Sequence, residues 1–157
     1  MTFDRVDAAR RGENRTVVGR MASGWLVLGD SQFLAGYSLL LADPVVATIN
    51  DLTEANRSRF LLDMVKIGDA LLRVTDAERI NYQILGNLIN ALHVHLHPRY
   101  ASEPDENRAA PPSSYGPVRL SVPFDEARDS ALMRKLFEHL EEEDLISNPG
   151  PALATDA

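Results

Sequence analysis

Between residues 16 and 42 the apolar positions come in short runs. Thr16–Arg20 reads as a short strand, and Trp25–Leu28 as a second, stopped by the turn signal Gly29-Asp30-Ser31. Tyr37–Ala42 is a third, entered through Gly36 and closed by Asp43-Pro44. Its unbroken apolar run predicts burial on both faces. From Thr53 the period changes. Phe60, Leu61, Met64, Ile67, Gly68, Leu71 and Leu72 recur at helical spacing, which predicts one long helix with a single apolar stripe. Thr53 is its N-cap and Glu54 favours the dipole of its first turn. Arg57, Asp63, Lys66 and Asp69 form the polar face. Ile80–Leu85 and Ala91–His97 predict two strands joined around Gly86-Asn87. The segment Ala101–Pro117, with four prolines, predicts an irregular loop. A last helix is predicted from about Asp125 to Glu143, with Ala131, Leu132, Leu136, Phe137 and Leu140 on its apolar side.

The ends lack such patterning. Residues 1–14 are polar and read as a short helix or a mobile arm, and residues 147–157 as a disordered tail. Residues 15–146 then form one α+β domain: a mostly antiparallel sheet of about five strands, one long helix and a C-terminal helix.

Composition narrows the function. A chain of 157 residues buries a core without staples, and it has no cysteine. Disulfides, thiolate metal sites and a catalytic cysteine are excluded. A net charge of −7 argues against a broad nucleic-acid surface, which needs a basic face. No apolar run approaches the length of a membrane span, and residues 1–14 hold no hydrophobic signal region. The expectation is a soluble, cytoplasmic protein with neither a nucleic-acid nor a membrane partner.

Three of the four histidines fall within five residues, in Ala91-Leu-His-Val-His-Leu-His-Pro-Arg-Tyr100. In a strand, alternate side chains share a face, so Leu92, Val94 and Leu96 would enter the core and His93, His95 and His97 would line the other side. Neighbouring imidazoles would stand about 6.6 Å apart along the strand, close enough to share one phosphate. Three chemistries fit such a row. It could be a polar outer face. It could ligate a metal, with Glu103 or Asp105 as the nearest carboxylates. Or it could act on phosphorus, with one neutral imidazole attacking and its neighbours donating hydrogen bonds.

The row resembles the signature of the histidine-triad (HIT) family of nucleotide hydrolases and transferases, in which histidine alternates with hydrophobic residues. Asn81-Tyr-Gln-Ile-Leu-Gly-Asn87 is similar to the segment that leads into the triad in many bacterial members. Gly36-Tyr37-Ser-Leu-Leu-Leu41 with Ile49-Asn-Asp-Leu-Thr53 resembles the family's central strand and the start of its helix, and Pro98-Arg99 its strand exit. The resemblance spans roughly residues 20–120. Two alignments exist. With His93 as first member the nucleophile would be His95. With Ala91 in the first position the nucleophile is His93, His95 is the third member and His97 is additional. The second keeps Leu-Gly-Asn and Pro-Arg at their usual distances. It also resembles a bacterial branch that replaces the first histidine and carries Gly-Pro-Val after the triad, here Gly116-Pro117-Val118.

The resemblance implies a HIT-like fold and substrates substituted on the α-phosphate of a nucleotide, such as dinucleoside polyphosphates or nucleoside phosphoramidates. It implies catalysis by His93 through a nucleotidyl-histidine intermediate, with a backbone carbonyl holding the proton on Nδ1. His95, His97, Asn81 and Asn87 would contact substrate, and Asp30 would grip the ribose hydroxyls. Turn geometry is an equal reading of Asn87 and Asp30. Trp25 and Phe33 are candidates for the base pocket, with core packing the stronger reading. No protein-held metal or other cofactor is implied, although the substrate could arrive as its magnesium complex. Members are commonly homodimers. The family pattern is broken at Ala91, so the alternative is a nucleotide-binding HIT protein of weak activity, and a further one is a metal-dependent enzyme using the same histidines.

Overall fold

The computed structural model describes residues 2–154. The elements are α1 (Thr2–Arg10), β1 (Val17–Met21), β2 (Gly24–Leu28), β3 (Ser38–Ala42), α2 (Glu54–Val74), β4 (Arg79–Gln83), β5 (His93–Arg99), α3 (Asp105–Arg108), α4 (Glu126–Glu142) and β6 (Ile146–Ser147), with 3-10 segments at Ile49–Asp51 and Pro112–Leu120, the second kinked at Gly116. All strand pairings are antiparallel and the order is β4-β5-β3-β2-β1-β6. The sheet has six strands rather than the expected five, because the chain after α4 returns to pair with β1 through Arg20↔Ser147 and Met21↔Ile146.

Both sheet faces are covered. On one, α2 and α4 bury Phe60, Ile67, Leu71, Met133, Leu136 and Leu140 against Leu26, Leu40, Val94 and Leu96. On the other, Val6 and Ala9 of α1 pack on Trp25, Val27, Leu39 and Leu41. Every residue of β3 is therefore buried, as its unbroken apolar run predicts. Of the two readings of the N-terminus, residues 2–10 take the helical one.

Thr53 caps α2 by accepting from the Asn56 amide at 3.2 Å, as expected, and Asp125 caps α4 by accepting from Arg128 N at 2.8 Å. Three details of the helices differ from the sequence reading. Asp63, assigned to the polar face of α2, is buried and accepts from both the amide and the hydroxyl of Ser23, at 2.9 and 2.6 Å. Leu61 and Leu72, assigned to the stripe, are exposed. On α4 the buried position is Met133, while Ala131 faces out.

Two segments expected to be irregular are built. The proline-rich stretch holds α3 and the kinked 3-10 segment Pro112–Leu120: Pro104, Pro111 and Pro112 fall at helix starts, where a missing N–H costs nothing, and Pro117 follows the kink at Gly116. The expected tail continues past β6. The Gly150 amide donates to Val18 O at 3.1 Å, and Ala152 and Leu153 lie in the main core. Residues 155–157, also assigned to that tail, lie outside the described residues.

Candidate active site

The pairing of β5 with β3 builds the site. Cα partners Leu39↔His95 and Leu41↔His93 place the imidazoles on the sheet face that α1 covers, while Val94 and Leu96 enter the opposite core. The predicted division of faces holds, with the strand running His93–Arg99 instead of Ala91–His97. Beyond α1 the face opens into a cleft of about 840 Å³. His93, His95 and His97 form its floor with Leu39 and Leu41, Phe33 and Tyr37 stand beside them, and Arg5, Asp30 and Arg119 bring charge to its lining.

Each imidazole has a different partner. His93 Nδ1 lies 2.7 Å from the carbonyl oxygen of Ala91. A carbonyl only accepts, so Nδ1 carries the proton, and in the neutral ring Nε2 holds the lone pair. The main chain around that carbonyl is fixed: Leu92 N donates to Val46 O at 2.7 Å, and Ala42 N donates to Leu92 O at 3.1 Å. His95 Nδ1 meets the Tyr37 hydroxyl at 2.6 Å. Burial pushes the Tyr37 phenol up to about 12, so it keeps its proton and is able to donate to Nδ1. Burial, with the neighbouring His93 and Arg119 adding to it, pulls His95 down to about 4, so the ring is neutral, and with Tyr37 as donor to Nδ1 its proton would sit on Nε2. His97 is buried and stacked on Tyr37 with centroids 4.4 Å apart and planes 6° from parallel. Burial, then His95, Arg99 and Arg119, pull it down to about 3. Its Nδ1 has no partner.

The remaining candidates separate. Asp30 lines the cleft, where its carboxylate pairs with Arg5 of α1. Phe33 lines the cleft, whereas Trp25 is core: it is buried against α1 and its Nε1 donates to Asp43 at 2.9 Å. Asn81 sits opposite His97 on β4, but its side-chain oxygen is taken by Arg99 Nη1 at 2.6 Å, and it does not line the cleft. Asn87 is exposed on the loop between β4 and β5 and does not line it either. Of the two asparagines expected to contact phosphate, Asn81 is brought beside His97 with its side-chain oxygen engaged by Arg99, while Asn87 stays on the exposed loop away from the row.

Neither carboxylate considered as a metal ligand joins the row. Glu103 accepts from Arg99, from the Tyr100 amide and from the Tyr115 hydroxyl. Burial works upward on its carboxyl, but these hydrogen bonds outweigh it and hold the group below its ordinary range. Asp105 pairs with Arg108. Among the described residues no group of three or more histidines or carboxylates could hold a metal ion.

Sequence reasoning missed Tyr37, Arg5 and Arg119. Tyr37 was legible only in part: it shares the alternation of Leu39 and Leu41, but its place beside His95 depends on the β3–β5 register.

No protein-family model and no curated protein matches the chain. Solved structures do. A histidine-triad protein from Marinobacter aquaeolei superposes with a TM-score of 0.68 at 20% identity, over 80% of this chain and 88% of that one. One from Sinorhizobium meliloti gives a TM-score of 0.68 at 22% identity, over 82% and 93%. A hypothetical histidine-triad nucleotide-binding protein from Sulfolobus tokodaii gives 0.60 at 17%, over 81% and 84%. The chain has the histidine-triad fold. In this HIT-like fold the imidazole row occupies β5, the strand next to the sheet edge β4, and no helix among the described residues is long and apolar enough to cross a membrane.

Proposed function

We propose that the chain binds nucleotides in the histidine cleft and hydrolyses or transfers them at the α-phosphate, with His93 as nucleophile. The observation that carries this reading is the 2.7 Å contact between His93 Nδ1 and the Ala91 carbonyl, because it leaves the Nε2 lone pair free to attack. Nε2 attacks phosphorus in line. The P–N bond forms as the bond to the leaving group breaks, and the leaving group departs with that electron pair. Water then attacks the same phosphorus, the P–N bond breaks, and the mononucleotide leaves. His95 supplies an Nε2–H to a non-bridging oxygen in both transition states. Asp30, paired with Arg5 in the cleft, would accept from the ribose hydroxyls in exchange for that pair. The nucleotide-binding name of the Sulfolobus neighbour agrees with this class of ligand.

Ala91 does not stand in the way of the first step, since the contact to His93 is made by its main chain. It does remove a polar side chain from the start of the row, which favours a second reading: nucleotide binding with slow turnover. Incubation with diadenosine tetraphosphate or adenosine phosphoramidate, followed by chromatography of the released mononucleotide, separates the two. The enzyme reading expects release that is lost in His93→Ala and only weakened in His95→Ala. Nucleotide bound without release supports the second reading, and loss in His95→Ala alone moves the nucleophile to His95.

A homodimer also fits the surface. Strand β4 is a sheet edge, and Tyr82, Ile84, Leu85 and Leu88 on it and its loop are exposed, as are Leu62 and Val65 of α2. Light scattering on the wild type and on Leu62→Arg tests this, with a dimer expected only for the former.

A further inference from the structure

The cleft holds two guanidinium groups, and they are not equivalent. Arg5 is committed to Asp30. Arg119 has no carboxylate partner among the described residues, and its Nε donates to Gly116 O at 3.1 Å. That bond closes the turn on which Arg119 rides. Gly116 enters the turn at φ +55°, a conformation that favours glycine. The segment is tied down on both sides. Tyr115 donates to Glu103 at 2.8 Å and packs edge-on to Phe33, with centroids 5.3 Å apart. Beyond the turn, Gln32 N donates to Val122 O and Phe124 N to Asp30 O, both at 2.7 Å. Arg119 is therefore an exposed cation on a fixed support at the rim of the histidine cleft.

Charge points to its use. The chain carries −7 overall, yet the charged residues lining the cleft are two arginines and one aspartate, a local excess of one positive charge. Two further side chains of the lining, Ser31 and His97, are buried with a polar atom unpartnered. Unmet polar capacity of this kind is costly unless a ligand or water meets it. The attacked phosphorus must reach the buried His93, whereas Arg119 stands at the rim. A cleft of about 840 Å³ lies in the upper part of the range for small-molecule sites, with room for more than a mononucleotide.

Building on the nucleotide reading above, we propose that Arg119 is a specificity-determining residue that binds the phosphates beyond the attacked one, so that the cleft prefers an anionic polyphosphate leaving group to an amine. The Nη groups present paired donors to phosphate oxygens, a geometry that lysine reproduces only as a point charge.

The test compares kcat/KM for diadenosine tetraphosphate and adenosine phosphoramidate in the full-length wild type, Arg119→Gln and Arg119→Lys. Arg119→Gln is expected to lose about tenfold or more on the tetraphosphate, the worth of one charge-assisted hydrogen bond, with the phosphoramidate unchanged within about twofold. Arg119→Lys recovers part of the loss. An equal loss on both substrates, or no loss on either, overturns the proposal. Calorimetric binding of AMP and ATP decides it even where the wild type splits neither substrate. The wild type should bind ATP more tightly than AMP, and Arg119→Gln should bring the two together. Equal affinities in the wild type overturn the proposal, whereas tight ATP binding without turnover counts only against the hydrolase reading.

Discussion

His93 and His95 meet opposite kinds of partner at Nδ1. The Ala91 carbonyl can only accept from His93 Nδ1, whereas the Tyr37 hydroxyl is able to donate to His95 Nδ1. With Tyr37 donating, two neighbouring imidazoles of the same strand become different: one exposes a lone pair at Nε2 and the other an N–H. Nucleophile and donor are set by their hydrogen-bond partners, since alternation alone would leave the two rings alike.

Removing the Tyr37 hydroxyl tests this assignment. Tyr37→Phe keeps the ring that stacks on His97 but leaves His95 Nδ1 without a donor. The His95 proton is then free to move to Nδ1, which turns a lone pair toward the phosphoryl oxygen. Loss of one such donor costs about 10²–10³ in kcat when complete, and a partial shift of tautomer should cost about tenfold, with KM little changed. Long-range ¹H–¹⁵N spectra of the imidazoles provide a second readout. Nε2–H on His95 in the wild type and a mixture in Tyr37→Phe are expected. A His95 tautomer unaffected by the substitution would remove Tyr37 from the mechanism.

The depressed histidines make stability depend on acid in a definite direction. Unfolded imidazoles titrate near 6.5, while burial holds His95 to about 4 and His97 to about 3 in the folded chain. Between those values the unfolded state binds more protons, so folding stability is fully present above about pH 6.5 and falls as pH drops toward 4. Thermal unfolding followed from pH 7.5 down to about 4.5 should show Tm falling, by roughly 2–4 °C for each kcal/mol lost. His97→Gln removes one of the two groups and should flatten the slope. An identical slope in His97→Gln would mean that this ring does not carry the acid sensitivity.

Much of the site was legible because a strand has a period of two. His93, His95 and His97 alternate with Leu92, Val94 and Leu96, and that alone assigned the rings to one face and the aliphatic chains to the core. What failed in each case depended on contacts distant in sequence. Asp63 looks like any polar helix residue until Ser23 is seen to offer it two donors. The sequence does not show that Arg99, itself held by Glu103, engages the oxygen of Asn81 and so fixes the orientation of its amide. Arg119 had no pattern at all to mark it, since its place over the cleft comes from a turn anchored to Glu103 and to residues 30–32.

The C-terminal segment was misread for the same reason, and it offers the plainest test of the fold. Nothing in Asn148–Ala154 is periodic, yet the Gly150 amide bonds Val18 O at 3.1 Å. A Cβ on Gly150 would lie 1.8 Å from Val17 O, so the segment presses directly on the β1 backbone. It delivers Leu153, 7% exposed, into the core shared by α2 and α4. Burial of this degree makes Leu153→Ala a cavity-forming change, expected to cost about 2–4 kcal/mol. Tm should fall by roughly 4–16 °C. Leu88, 98% exposed on the loop before β5, is the control, and Leu88→Ala should leave Tm of the monomer within about 1 °C. If the segment after Ser147 contributed nothing to the core, the two substitutions would behave alike.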